Sequence, residues 1–149
     1  MNAKHSGSLL VEDNSNDEAL ACRVLRANQM IDIMVTRDGA EAVDYIFARG
    51  TYQGRDVMDQ PVVVLLDLNL PKLSGLEVLQ AIRSDERTNL LPVVIMTSSR
   101  EESDLLGSYR SGANSYVVKP VDFTEFSQQI KQLGRYWMLT NEILGKGGR

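Results

Sequence analysis

The sequence predicts an α/β protein built on a doubly wound sheet of five parallel strands. Two observations carry this reading. Short runs rich in Val and Ile recur along the chain with helix-period segments between them, which is the alternation of βαβ units. The runs are apolar at consecutive positions instead of every second one, which suits strands covered by helices on both faces. The 149 residues, 43% of them apolar and 24% charged, fit one domain with a real core (about residues 9–133) and an extended C-terminal helix and tail over residues 134–149.

Taken in order, Leu9-Leu10-Val11 is the first strand, and Leu20, Val24 and Leu25 form the inner face of the helix after it. Residues 31–35 give the second strand, followed by a helix marked by Ala40, Val43, Ile46 and Phe47. Asp38 stands at that helix's N-cap, and Gly50 stands where a left-handed C-terminal residue is wanted. Residues 49–60, with Gly50 and Gly54 and leading into Pro61, read as a long surface loop. Residues 62–66 form the most apolar strand, and Leu76, Leu79 and Ile82 mark the third helix. Residues 93–96 give the fourth strand, with Leu105, Leu106 and Tyr109 on the next helix and Gly112 beyond its end. Residues 116–118 give the fifth. After Asp122 as N-cap, Phe123, Phe126, Ile130, Leu133 and Trp137 stripe the last helix. That stripe continues through Tyr136, Leu139, Ile143 and Leu144, farther than a sheet of this size needs. An exposed apolar face there is an interaction surface.

Composition removes several classes of function. Sixteen Lys and Arg against 20 Asp and Glu leave a net charge of −4, with no broad positive field to hold nucleic acid or anionic lipid. No apolar run is long enough to span a bilayer, and residues 1–8, His5 among them, lack the apolar stretch of a secretory signal. The single cysteine, Cys22, permits no internal disulfide, and no basic neighbour is arranged to activate it. These features describe a cytoplasmic protein with neither nucleic acid nor membrane as partner.

In an open parallel sheet the ligand site lies at the carboxyl ends of the strands, beside the point where strand order reverses. Those ends carry Glu12-Asp13-Asn14, Asp67-Leu68-Asn69-Leu70-Pro71, Thr97-Ser98-Ser99 and Lys119-Pro120. Gathering Glu12, Asp13 and Asp67 costs free energy through like-charge repulsion, and a divalent cation relieves it. Oxygen ligands with no His or Cys nearby favour Mg²⁺ or Mn²⁺ over zinc, with the Asn69 carbonyl available to complete the set. A carboxylate held beside such an ion can act as a nucleophile toward phosphorus. Lys119 and the Thr97 hydroxyl then supply positive charge and a donor to the phosphoryl oxygens, with Asn69 and Ser98 N–H groups as further donors. Pro120 fixes a turn directly after Lys119, and a cis bond between them is compatible with the chemistry of X–Pro peptides.

Leu9-Leu10-Val11-Glu12-Asp13-Asn14, Leu65-Leu66-Asp67-Leu68-Asn69-Leu70-Pro71 with Ser74-Gly75, Thr97-Ser98 and Lys119-Pro120 closely resemble the receiver domain of two-component response regulators. The resemblance spans roughly residues 9–133 with every site position filled. It implies a flavodoxin-like (CheY-like) three-layer sandwich of strand order 2-1-3-4-5. It also implies phosphorylation of Asp67 by a phosphohistidine of a sensor histidine kinase, with Mg²⁺ held by Glu12 or Asp13, Asp67 and the Asn69 carbonyl. Thr97 and Tyr116 fall on the family's switch pair, and Asn69 and Ser99 on positions lining the approach of the hydrolytic water. The α4-β5-α5 face is the surface the resemblance assigns to a downstream protein target or to a homodimer. Asp85-Glu86-Arg87-Thr88, Gly112-Ala113-Asn114-Ser115-Tyr116 and Tyr136-Trp137 resemble single-domain regulators that serve bacterial phytochrome kinases. Ser8 departs from the pattern, standing where the family has an aliphatic residue.

Other readings fit less well. A haloacid dehalogenase-type phosphatase needs a general acid two residues after its nucleophile, where this chain has Asn69. In a flavodoxin, Glu12-Asp13 would repel the flavin phosphate. A phosphate-independent interaction module would be marked by loss of Asp67 or Lys119, and both are present.

Overall fold

The elements of the computed structural model, which describes residues 7–144, alternate as the apolar runs require. They are β1 (Ser8–Val11), α1 (Ser15–Ala27), β2 (Ile33–Thr36), α2 (Gly39–Ile46), a 3₁₀ turn (Gly50–Tyr52), β3 (Val63–Leu66), α3 (Gly75–Arg83), β4 (Val93–Thr97), α4 (Glu102–Arg110), β5 (Ser115–Val118) and α5 (Phe123–Gly134), with a π-helical stretch at Arg135–Thr140. The five strands are parallel in the order β2-β1-β3-β4-β5, so the chain reverses direction across the sheet between β1 and β3.

Successive strand residues face opposite sides of the sheet. Leu9, Val11, Val64, Leu66, Val93 and Ile95 pack in one layer with α2 and α3, through Val43, Ile46, Val78, Leu79 and Ile82. Leu10, Val63, Leu65, Val94 and Met96 pack in the other with Leu20 and Leu25 of α1 and Phe126 and Ile130 of α5. This two-sided burial is why the strands read as unbroken apolar runs. Ser8 belongs to β1 and is fully buried, with no hydrogen-bond partner for its hydroxyl.

Four helices start on a side-chain cap. Asp38 accepts from Glu41 N–H at 2.7 Å and Asp122 from Thr124 and Glu125 N–H at 2.7 and 3.1 Å, as the sequence predicts. Asn14 caps α1, and Ser74 with Glu77 forms a reciprocal capping box on α3. Gly50 and Gly112 both have positive φ, but the left-handed residue that directly follows α2 is Ala48.

Two expectations need correction. Leu105, Leu106 and Tyr109 do not face the core: they are 39–50% exposed, and the buried residue of α4 is Ser108. Its hydroxyl donates to the Asp104 carbonyl one turn back (2.7 Å), so it enters the interior already satisfied. The last helix does not run on unbroken: after Gly134 it widens, closing with Asn141 N–H on the Tyr136 carbonyl at 2.7 Å. Phe123 is exposed beneath the Arg23 guanidinium, and the buried stripe becomes Phe126, Ile130, Gly134 and Met138, while Leu133 and Trp137 pack at its edge. Residues 49–60 form a surface loop as expected, mostly exposed and anchored from within. Arg55 lies 3.9 Å from the Tyr45 ring centre and donates to the Tyr45 and Asp59 carbonyls, and Tyr52 donates to Glu41 at 2.7 Å. Among the described residues no helix is long and apolar enough to cross a membrane. His5 and residues 145–149 of the tail lie outside the described residues.

Candidate functional site

Strand register brings the predicted residues together. Val11 pairs with Thr36 on one side and Leu66 on the other, so Glu12 and Asp67 leave the sheet side by side. Backbone bonds pin both, Glu12 N–H to Thr36 at 3.0 Å and Asp67 N–H to Val11 at 3.1 Å. Thr97 pairs with Val118, and Lys119 N–H then donates to the Thr97 carbonyl at 2.7 Å, which roots the lysine at the same rim. On the far side α3 presses against the rim: a Cβ on Gly75 would lie 2.1 Å from the Asp67 carbonyl oxygen.

Lys119 ties the site together. Its ammonium donates to Glu12 Oε1 at 2.6 Å, to Asp67 Oδ2 at 3.0 Å and to Asp17 Oδ2 at 3.0 Å. The side chains of Lys119, Glu12 and Asp67 are only 8%, 1% and 9% exposed, so these are ion pairs largely removed from water. Burial alone would lower the Lys119 pKa; the hydrogen bond to Glu12 and the charges of Asp67 and Glu12 outweigh it and raise the pKa, which keeps the amine charged. Burial has the larger effect on Glu12, lifting its pKa from 4.5 to about 7 against the opposing hydrogen bond and charge of Lys119. The Glu12 carboxyl is therefore poised between charged and neutral near neutrality.

Glu12, Asp13 and Asp67 each offer an oxygen, and these atoms lie within 4.8 Å of one another. Asp13 is exposed while the other two are buried, so the cluster opens to solvent on one side. An oxygen-only donor set of this kind fits a hard divalent cation that retains some of its water. Asn69 N–H donates to Asp67 Oδ1 at 3.2 Å, so one oxygen of Asp67 is held by the lysine and the other by the backbone.

The remaining predicted residues surround this centre. Thr97 is fully buried, and its Oγ1 accepts from Ser99 N–H at 3.3 Å. Tyr116 donates its hydroxyl to the Ser99 carbonyl at 3.1 Å, and burial is the main cause of its raised pKa. The Ser99 hydroxyl donates to Asp104 Oδ2 of α4 at 2.6 Å, so it is engaged by the helix. Among the described residues no peptide bond is cis, so Lys119–Pro120 is trans. Trans is the lower-energy X–Pro isomer, and Lys119 already reaches three carboxylates with it. Sequence reasoning missed Asp17. The signal was available: with Asn14 as cap, residue 17 sits at the third helical position, where an acidic side chain lies over the rim.

A doubly wound sheet whose switch point gathers three carboxylates and a buried lysine defines a class of α/β domain with a site fitted to a hard divalent cation. The chain belongs to the response regulator receiver domain family, which matches residues 9–131. It is 38% identical over 141 residues to the probable methanogenesis regulatory protein FilR2 of Methanothrix harundinacea, covering 92% of this chain and 86% of that one. It is 32% identical over 133 residues to the response regulator Rcp1 of Synechocystis sp., covering 89% and 88%. The Mn²⁺-bound crystal structure of Rcp1 superposes with a TM-score of 0.86 at 31% identity, covering 95% of this chain and 99% of that one. The crystal structure of the phosphorylated cyanobacterial phytochrome response regulator RcpA gives a TM-score of 0.87 at 34% identity, covering 94% and 99%.

Proposed function

We propose that the protein is a single-domain response regulator, 1–149 acting as one receiver, that takes a phosphoryl group onto Asp67 from the phosphohistidine of a sensor histidine kinase. The carrying observation is the contact of Lys119 Nζ with Asp67 Oδ2 at 3.0 Å inside the Glu12, Asp13 and Asp67 cluster. In the transfer, an Asp67 carboxylate oxygen forms the new P–O bond as the P–N bond to the imidazole breaks, and the leaving imidazole takes up a proton from solvent. Lys119 and the Thr97 hydroxyl stabilise the charge on the phosphoryl oxygens. Glu12, Asp13, Asp67 and the Asn69 carbonyl would hold Mg²⁺, which when bound neutralises charge between carboxylate and phosphoryl group. Mn²⁺ in Rcp1 supports a divalent ion there. Asn69 and Ser99 govern access of the hydrolytic water and hence phosphate lifetime.

The phosphoryl group adds roughly −1.5 to −2 charge beside Lys119, which biases the switch pair Thr97 and Tyr116 and with it the α4-β5-α5 face. The exposed Leu105, Leu106 and Tyr109 support that face as the docking surface for a downstream target. Tyr136 and Leu139, 50% and 59% exposed beside Trp137, support a homodimer. Similarity to RcpA, a cyanobacterial phytochrome response regulator, supports a bacterial phytochrome as the kinase, and the whole acts in the cytoplasm. The test is incubation with Mg²⁺ and acetyl phosphate, read by intact mass and Trp137 fluorescence, with beryllofluoride as a mimic and sedimentation for the dimer. One phosphoryl-sized mass gain, absent in Asp67→Asn, is expected; no gain and no Mg²⁺ binding would overturn the reading.

A further inference from the structure

Lys119 has three N–H donors and spends them on three carboxylates, and these partners are not equivalent. Glu12 and Asp67 also belong to the cluster whose oxygens lie within 4.8 Å of each other, whereas Asp17 stands outside it. A cation bound in that cluster competes with the ammonium for Glu12 and Asp67 and repels it. Asp17 is free of that competition. Its backbone is fixed at the third position of α1 by the Asn14 cap, which accepts its N–H at 3.0 Å, and its carboxylate sits at a helix N-terminus, where negative charge is favoured. It is therefore a stationary anion beside a lysine whose other two partners have a second use.

We infer that Asp17 is a positioning residue: it draws the Lys119 ammonium off Glu12 and keeps it in the cleft when a divalent cation enters, within reach of the oxygens that Asp67 will carry. This rests on the proposed function. Without Asp17 the ammonium has Glu12 and Asp67 alone, so it competes harder with the cation and has no fixed resting place once displaced.

The experiment measures Mg²⁺ affinity by calorimetry and the rate of phosphorylation by acetyl phosphate. It compares the unsubstituted protein, Asp17→Asn, Asp17→Glu, Lys119→Met and the Asp17→Asn/Lys119→Met double variant. Asp17→Asn is expected to weaken Mg²⁺ and slow phosphorylation by about three- to tenfold each, while in the Lys119→Met background the same change moves Mg²⁺ affinity by less than about twofold. Asp17→Glu, which keeps the charge, recovers most of the loss. In the metal-free protein, NMR of the Lys119 ammonium shows faster exchange with water in Asp17→Asn. Values within twofold of the unsubstituted protein, or a loss of equal size with and without Lys119, would overturn the inference, the second by showing that Asp17 acts by direct charge or through folding. Failure of the unsubstituted protein to bind Mg²⁺ or accept phosphate would instead overturn the parent reading, and this inference with it.

Discussion

Raising the pH of the metal-free protein is expected to destabilise it, through Glu12. Burial lifts the pKa of this carboxyl from 4.5 to about 7 in the folded state, where it is 1% exposed. The unfolded chain releases the proton near 4.5. Between the two values the native state holds a proton that the unfolded state has lost, so the stability slope with pH is negative. The contribution of Glu12 is complete below about pH 4.5 and is gone once the pH has risen through about 7. At 1.36 kcal/mol per pH unit the interval corresponds to a loss of about 3–4 kcal/mol. Asp85, held at about 2 by its hydrogen bonds from Arg87, has the opposite sign, but its window lies in acid and does not overlap. Urea unfolding in a chelator at several values from about pH 5 to pH 8 measures the slope, and Glu12→Gln, which is neutral throughout, is expected to abolish most of it. A flat or rising profile in the unsubstituted protein, or the same fall in Glu12→Gln, would refute the reasoning.

Three further outcomes follow from packing. Ser8→Ala removes a buried hydroxyl that has no partner, and is expected to stabilise the fold by about 1 kcal/mol, raising Tm by roughly 2–4 °C in calorimetry. Arg83 donates to the carbonyls of Gly112 (2.9 Å), Leu91 (2.7 Å) and Asn89 (3.2 Å) and to Asn114 Oδ1 (2.8 Å), so Arg83→Ala strands several acceptors at once. Urea titration should show a loss of about 2–3 kcal/mol, little of it restored by Arg83→Lys, whose point charge cannot fork between four acceptors. In native-state hydrogen exchange the amides of α4 should be less protected than those of α1, α3 and α5; equal protection would mean that α4 is held by more than its visible contacts.

The fold was largely legible because consecutive apolar residues signal a two-sided strand and the intervening periods signal helices. Legibility failed where one side chain outweighed a pattern. Leu105, Leu106 and Tyr109 have core-like spacing, yet they are exposed and α4 turns inward Ser108, whose self-satisfied hydroxyl is invisible to a hydropathy pattern. The break after Gly134 has no pattern signature either, because Leu133, Tyr136 and Trp137 continue a plausible helical stripe while the buried position moves to Met138. At the site, the strand-end residues were legible because a parallel sheet delivers strand ends to one rim. Asp17 was not, since it arrives from a helix and its importance depends on the reach of Lys119 across the sheet.

The contrast between α4 and the rim beside it explains how a local charge could have a distant effect. Glu12, Asp67 and Lys119 are fixed at their backbones by bonds to the neighbouring strands, and three helices around them start on side-chain caps at Asn14, Asp38 and Ser74. Helix α4 has no such cap and buries one small residue. Its link to the rim runs through Ser99, whose hydroxyl holds Asp104 and whose carbonyl holds Tyr116, two residues beyond Thr97. A rearrangement at Thr97 would therefore act on the least anchored helix through two hydrogen bonds, each contributing about 1 kcal/mol net. Under the proposed function such an element would shift at small cost, while the strand ends would keep the acidic cluster in place. The same weak anchoring leaves Leu105, Leu106 and Tyr109 in solvent, where a second protein could cover them.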